Sequence, residues 1–330
     1  MATRSEENIR ILMRSYYDIQ NDRIRTNNRI AGIEHVRRTG ATKGELVPKE
    51  EDRDEKAHEK MIEEMISFYH KLFPELKSST VLKIKARLTK EDGPIKNIIV
   101  WDLVRRLIDD LDAENRALKI VSSEVRANPV YKGFLSKVKG CGVLISANIL
   151  ATLDIHKARH VSSFWRYCGL DTWTDPESGV TYGRAKASSH VKEMMRDMTY
   201  IDSEGKEQTT KSLGFNVILK SKLIGVLGDY FIKHKNDDDA VYGPIYDDYK
   251  ARQMARIAAG EKITKMTAHR RAVRYMIKMF LKDLWVYWRK AEGYPDEPDY
   301  CEEYIHHRAH GENFIPNNDS RKRLELQGAV

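Results

Sequence analysis

Residues 134–153, FLSKVKGCGVLISANILATL, decide how this chain is read. Phe134, Leu135 and Val138 form a short apolar lead, Gly140-Cys141-Gly142 follows, and Ile145, Ala147, Ile149 and Leu150 then recur as a helix would place them. The pattern predicts two short helices joined by a Gly-x-Gly turn, a helix-hairpin-helix. Gly140 and Gly142 would shape that turn, because glycine permits positive φ and lets backbone come close to a ligand. Amides opening the second helix would point outward and, with the helix dipole, favour an anion. Lys137 and Lys139 stand beside the turn and add counter-charge. Such a hairpin holds phosphate without reading sequence, so it points to nucleic acid and no further. The plainer reading is a Gly-Cys-Gly connector between two core helices.

Upstream of the hairpin the chain reads as helix. Residues 5–38 carry Ile9, Leu12, Met13, Tyr16, Ile19, Ile24, Ile30 and Ile33 at mostly three- and four-residue spacing, and Gly40, Gly44 and Pro48 break the run. A charged helix reopens at KEEDRDEK, carries Met61, Met65, Phe68, Tyr69 and Leu72, and is expected to stop at Pro74. Asp92-Gly93-Pro94 reads as a turn. A third helix from Ile95 to Val125 lines up Ile99, Leu103, Leu107, Leu111, Leu118, Val121 and Val125, with Arg105, Arg106, Asp109, Asp110 and Glu114 on its polar side. Long helices with a narrow apolar stripe pack as antiparallel pairs or coiled coils.

Downstream, a polar stretch at 199–212 suits a hairpin or a loop. Helices return at 215–234, 242–259 and 267–292. The expected fold is mainly α: a helical arm or coiled coil over 1–128, a helix-hairpin-helix domain with a small β-hairpin insertion over 129–293, and an extended tail over 294–330.

The 330 residues hold 57 Lys and Arg against 49 Asp and Glu, a net charge of +8. Residues 262–290 hold nine cations against one acid, Asp283, so this segment carries an excess as large as that of the whole chain. Arg270, Arg274, Lys278 and Lys282 run at four-residue spacing there. That stripe reads either as a track for a phosphate backbone or as a solvated helix face. Cys141, Cys168 and Cys301 are too few and too scattered for a disulfide framework. The first residues, MATRSEENIR, lack the apolar core of a signal peptide, and no apolar run approaches the roughly 20 residues of a membrane helix. The expectation is a cytoplasmic protein without a membrane partner. No Gly-x₄-Gly-Lys-Ser/Thr loop implies ATP.

In order and spacing, residues from Leu135 to Gly293 resemble the C-terminal transposase domain of the insertion-sequence family called IS-one-ten, the DEDD-type transposases. VKGCGVLISANILATL stands where that family has its Gly-x-Gly hairpin, and VSSFWRYCGL where it has an aromatic helix ending in Gly-Leu. ESGV, KSLGFNVILKSKL and the basic, aromatic TAHRRAVRYMIKMFLKDLWVYWRKAEG follow in the family's order. The resemblance covers about half the chain. It implies DNA transposition or recombination, with DNA as partner and, as in several members, a structured guide RNA. It also implies self-association through a helical pair preceding the hairpin, here residues 95–128.

The family has a serine nucleophile that becomes linked to DNA, and the resemblance places Ser178 of Glu177-Ser178-Gly179 in that position. Arg184, Lys186 and His190 are near enough in sequence to stabilise developing charge on phosphorus. Pro176-Glu177-Ser178-Gly179 is also an ordinary β-turn sequence. The family's other catalytic part, a ribonuclease-H-like domain with four metal-binding acids, has no evident counterpart. Residues 1–128 read as helices, and their one strand-like run is Ile98–Leu103; Asp102 within it and Asp109, Asp110 and Asp112 after it read as a solvated helical face. Mg²⁺ is therefore expected only where an acid site exists in the chain or is supplied by a partner. Without that site the alternative is a non-catalytic nucleic-acid-binding accessory or regulator of a mobile element or phage.

Two other groupings are weaker. Trp165, Tyr167, Trp173 and Tyr182 read as base-stacking residues or as core. Cys301, His306, His307 and His310 gather ligand-type side chains, but their spacing fits no standard zinc pattern.

Overall fold

The structure is a computed structural model that describes residues 4–40, 55–76, 93–96, 98–179, 181–183 and 195–294. The described chain is mainly helical, with two small antiparallel two-stranded sheets. None of its helices is long and apolar enough to cross a membrane. It divides into two compact units: Ile11–Val121, and the described residues of Met1–Arg10 with Ser122–Val330. The predicted tail, with Cys301 and its histidines, lies outside the described residues.

The first unit is built from α1 (Arg4–Thr39), α2 (Glu55–Leu76) and α3 (Ile98–Ala127). Ile30 of α1, Met61, Met65, Tyr69 and Leu72 of α2, and Val100, Trp101, Val104 and Leu107 of α3 share one core. Between α1 and α3 lie polar rungs. Tyr16 and Gln20 donate to the Glu114 carboxylate at 3.0 and 2.9 Å, Arg23 donates to its other oxygen, and Thr26 donates to Asp110 at 3.0 Å. As α1 advances from Tyr16 to Thr26, its partner on α3 steps back from Glu114 to Asp110, so the helices run antiparallel. The sequence treats these acids as a solvated face; Asp110 and Glu114 instead tie two helices together.

Ile98–Leu103, the strand-like run, is the first turn and a half of α3. The described residues between 4 and 127 contain no strand. The start of the α3 stripe is also shifted by one position from the expected one: Val100 and Val104 are fully buried, whereas Ile99 is 65% exposed. The run IIVWDLV offers apolar residues in both phases, and packing against α2 selects one. Helix α2 continues two residues past Pro74. A proline in a last turn removes one backbone donor and leaves the preceding turns intact.

In the second unit, the Asn128 side chain caps α4 (Pro129–Gly133) by accepting from the Val130 and Tyr131 amides at 2.9 and 3.3 Å. A 3₁₀ turn (Leu135–Lys137) leads to α5 (Val143–Thr152), a second 3₁₀ turn (Ile155–Lys157) and α6 (Val161–Tyr167). Where the first helix of a hairpin is predicted, the chain instead forms one short helix and a 3₁₀ turn before α5. Strands β1 (Thr172–Thr174) and β2 (Thr181–Gly183) pair with Trp173 opposite Tyr182. A longer hairpin, β3 (Met195–Ile201) and β4 (Glu207–Leu213), turns at Asp202, whose carboxylate accepts from the Glu204 and Lys206 amides. Helix α7 (Val217–Ser221) runs through a π-helical segment (Lys222–Leu227) into α8 (Gly228–Lys233), followed by α9 (Gly243–Ala258) and α10 (Lys265–Ala291).

Helix α10 is the spine of this unit. Phe280 meets Phe134, Phe231 and Tyr242 at ring-centroid distances of 6.2, 6.0 and 5.5 Å, and Trp288 meets Phe164 at 6.2 Å. Burial reaches polar groups too: Asp283, fully buried, accepts from the Tyr242 hydroxyl at 3.1 Å, and Lys282 is 3% exposed.

The Glu114 rung generates a pH prediction. Burial alone would raise the Glu114 pKa, but hydrogen bonds from Gln20, Arg23 and Tyr16 outweigh it and hold the carboxyl below the usual range. A depressed folded pKa contributes stability above the ordinary glutamate value near 4.5, and that contribution is lost as pH falls through the folded value. Glu114→Gln is expected to cost about 1–3 kcal/mol in urea unfolding at neutral pH. The same variant should flatten the acid-side loss of stability below pH 4.5.

Candidate nucleic-acid interface

The turn between the Leu135–Lys137 segment and α5 sets the site. Gly140 has φ +91°, and a Cβ there would stand 2.5 Å from the Tyr230 ring, so both the backbone and the neighbour require glycine. Gly142 differs. Its φ of −60° and ψ of 170° suit any residue, and a Cβ would meet nothing within 4 Å. Gly142 is the N-cap of α5 and brings no capping side chain, so the amides of Val143, Leu144 and Ile145 precede the first intrahelical bond, from Ser146 to the Gly142 carbonyl at 3.0 Å. Gly142 is exposed, and α5 behind it is buried from Ser146 to Ala151. The chain therefore offers donors at an open, glycine-lined helix start, which can accept an oxyanion.

Lys137 is exposed beside the turn. Lys139 is not available in the same way: its ammonium pairs with Asp239 at 2.6 Å, which holds it above the usual lysine range. Asp239 belongs to the run Asp237-Asp238-Asp239 between α8 and α9. That run and the hairpin line a pocket of about 110 Å³ with Lys137, Lys139, Tyr230 and His234. His234 stacks on Tyr230 at 4.3 Å and lies 3.1 Å from Asp237. Asp239 thereby neutralises one of the two lysines beside the turn. A block of three aspartates was visible in the sequence; its position opposite Lys139 required the fold.

Ser178 sits at the exposed tip of the β1–β2 hairpin. Its hydroxyl donates to Asp175 at 2.6 Å; the Glu177 amide donates to the other oxygen at 3.1 Å, and the Gly179 amide donates to the Asp175 carbonyl at 2.9 Å. The Ser178 hydroxyl, then the Glu177 amide, hold the Asp175 carboxyl below its usual range. This is a self-capped turn, and its acid is a weak base beside a position where phosphate would need cations. Arg184, Lys186 and His190 lie outside the described residues.

The basic stripe on α10 is graded. Arg270 is exposed, Arg274 and Lys278 are half-buried, and Lys282 is buried, so these four cations do not share one solvated face. Lys278 lies over the Trp165 ring at 4.6 Å, while the Trp165 indole donates to the Lys278 carbonyl at 3.1 Å. Trp165 is accordingly core rather than a stacking platform. Trp173 and Tyr182 stack on each other across the hairpin, both half-exposed, and Tyr167 is 37% exposed. Among the described residues no three His, Cys, Asp or Glu side chains form a metal-ligand group. Cys141 and Cys168 are buried free thiols, their pKa values pushed up by burial.

No family model matches the chain, and no curated protein and no solved structure matches it.

The two glycines are expected to respond in opposite ways. Gly140→Ala should lower stability by about 2–4 kcal/mol through positive φ and collision with Tyr230. Gly142→Ser should fold at least as well as the parent chain, because serine caps α5 without strain. Thermal unfolding of both variants checks this.

Proposed function

We propose that this chain is a DNA-binding protein of transposase type, acting in DNA transposition or recombination, with the Gly140–Gly142 turn as its grip on phosphate. The observation that carries the reading is the exposed, uncapped start of α5 at Gly142, beside Lys137 and within the ordered resemblance from Leu135 to Gly293. Phosphate fits there because the chain supplies backbone donors and a nearby cation but no capping side chain. Structured guide RNA presents the same backbone chemistry and belongs to the same proposal. The stripe of α3 is covered by α1 and α2 through Val100, Val104 and Leu107, which gives self-association through that helix no support.

In this proposal Ser178 is the nucleophile candidate if the chain joins DNA. A non-catalytic accessory role is the second reading, and one observation favours it: the Ser178 hydroxyl is engaged by an anion, Asp175, in an exposed turn. Metal help, where used, would come from acids outside the described residues or from a partner.

Anisotropy titrations of labelled duplex DNA and structured RNA across a salt series test the grip. Binding should weaken steeply with salt. Gly142→Glu should weaken it about ten-fold or more by placing a carboxylate at the α5 start. Asp239→Asn should tighten it about two- to five-fold by releasing Lys139 from an exposed ion pair. No binding at low salt, or a Gly142→Glu variant as tight as the parent, would remove the grip. Loss of DNA joining in Ser178→Ala with binding retained would select the catalytic reading; intact joining would select the accessory one.

A further inference from the structure

Two cations from two helices flank the segment Gly169–Thr172 at the base of the β1–β2 hairpin: Lys220 on the Phe215 ring that packs on Gly169, and Arg274 on Gly183, the partner of Thr172. Arg274 of α10 packs its guanidinium against β2, where a Cβ on Gly183 would lie 2.5 Å from a guanidinium nitrogen. Gly183 pairs with Thr172 at the open end of the hairpin, so its missing side chain makes room for Arg274. Lys220 of α7 lies over the Phe215 ring at 4.8 Å. Arg271, three residues before Arg274 on α10, is engaged separately and donates to Gln253 of α9 at 3.1 Å. Lys220 and Arg274 are each half-buried, and among the described residues neither has a hydrogen bond or an ion pair.

That arrangement is costly if nothing else occupies it. Burial, and then the charge of Arg274, hold the Lys220 ammonium below the usual lysine range. Burial, and then the charge of Arg271, do the same to Arg274. Asp171 faces both Lys220 and Arg274, whereas Arg271 faces Glu261. A half-buried charge without a partner is unfavourable, and like charges brought together add to the penalty. The chain holds two such charges beside each other, with a planar guanidinium fork that matches the oxygens of a phosphoryl group and an ammonium that adds a point charge.

We propose that Lys220 and Arg274 form a binding site for one phosphoryl group at the base of the β1–β2 hairpin. The site is separate from the α5 turn. It deepens the nucleic-acid reading and rests on it only for the source of the phosphate, which is a backbone phosphodiester there and free phosphate otherwise. Arg274 is then grouped with Lys220 rather than with Arg270 and Lys278, and Lys278 lies on Trp165.

Thermal unfolding of the full chain in sodium phosphate and in sodium chloride at equal ionic strength is the test. Phosphate should raise the parent Tm by about 3 °C over chloride. Lys220→Met keeps the stem over Phe215, and Arg274→Gln keeps a polar group against Gly183. Both variants should unfold in chloride at or above the parent temperature, since repulsion is relieved, and both should lose the phosphate increment. Absence of the increment in the parent, or an increment that both variants keep, would overturn the site. The parent chain should also broaden the phosphorus signal of inorganic phosphate, and sulfate should relieve that broadening, which tests the site without a variant. In a parallel arm with a labelled oligonucleotide, both variants should bind about ten-fold more weakly than the parent. If phosphate behaves as stated and no oligonucleotide binds, the site stands and the nucleic-acid reading falls. If the oligonucleotide binds all three chains equally and phosphate has no effect, the reading stands and the site falls.

Discussion

Burial of α10 is the constraint on which the second unit depends. Helix Lys265–Ala291 must place Met276, Phe280, Leu284 and Trp288 in the core while carrying most of the cations of the most basic stretch in the chain. A helix cannot turn every lysine and arginine to solvent when it is wrapped by α6, α9 and the 217–233 helix. The cations are therefore sorted by depth: Arg270 in water, Arg274 half-buried, Lys282 within the core beside Asp283. Large apolar burial at Phe280 and Trp288, worth about 2–3 kcal/mol per side chain, can hold such groups in place.

Sorting by depth separates charges that the chain neutralises from those it leaves without an ion pair. Lys139 has Asp239, and Arg252 has Asp248 at 2.8 Å together with the Tyr249 and Tyr275 rings. Arg274 and Lys220 have each other's repulsion and a share of Asp171. The α5 start offers donors without a cap. These two places lie on different elements of the same unit, and a phosphoryl group is the ligand proposed for both. The acidic run at 237–239 acts in the opposite direction, since Asp239 neutralises Lys139 beside the turn.

Much of the fold was legible. The helices over 5–38, 215–234, 242–259 and 267–292 lie within two residues of the observed α1, the 217–233 helix, α9 and α10, because their apolar spacing agrees with what each must bury. The phase of α3 was not legible, since IIVWDLV fits two stripes and α2 chooses between them. Pro74 misled because a proline in a last turn costs little. In the site, Gly140 was readable as a turn glycine, but the need to pass Tyr230 was not. The basic stripe misled most: four-residue spacing records a helix face, and burial of that face is a property of neighbours far away in sequence. Lys220 had no local signal, and its place across the Gly169–Thr172 segment from Arg274 exists only in three dimensions.

The most direct test of the central claim, that the second unit engages nucleic acid through these elements, is amide chemical-shift mapping of the full chain with a short duplex. Perturbations are expected to concentrate at Gly140–Ile145 and around Gly183, Lys220 and Arg274, with the Ile11–Val121 unit unchanged. Perturbations confined to Ile11–Val121, or none at saturating duplex, would contradict that claim.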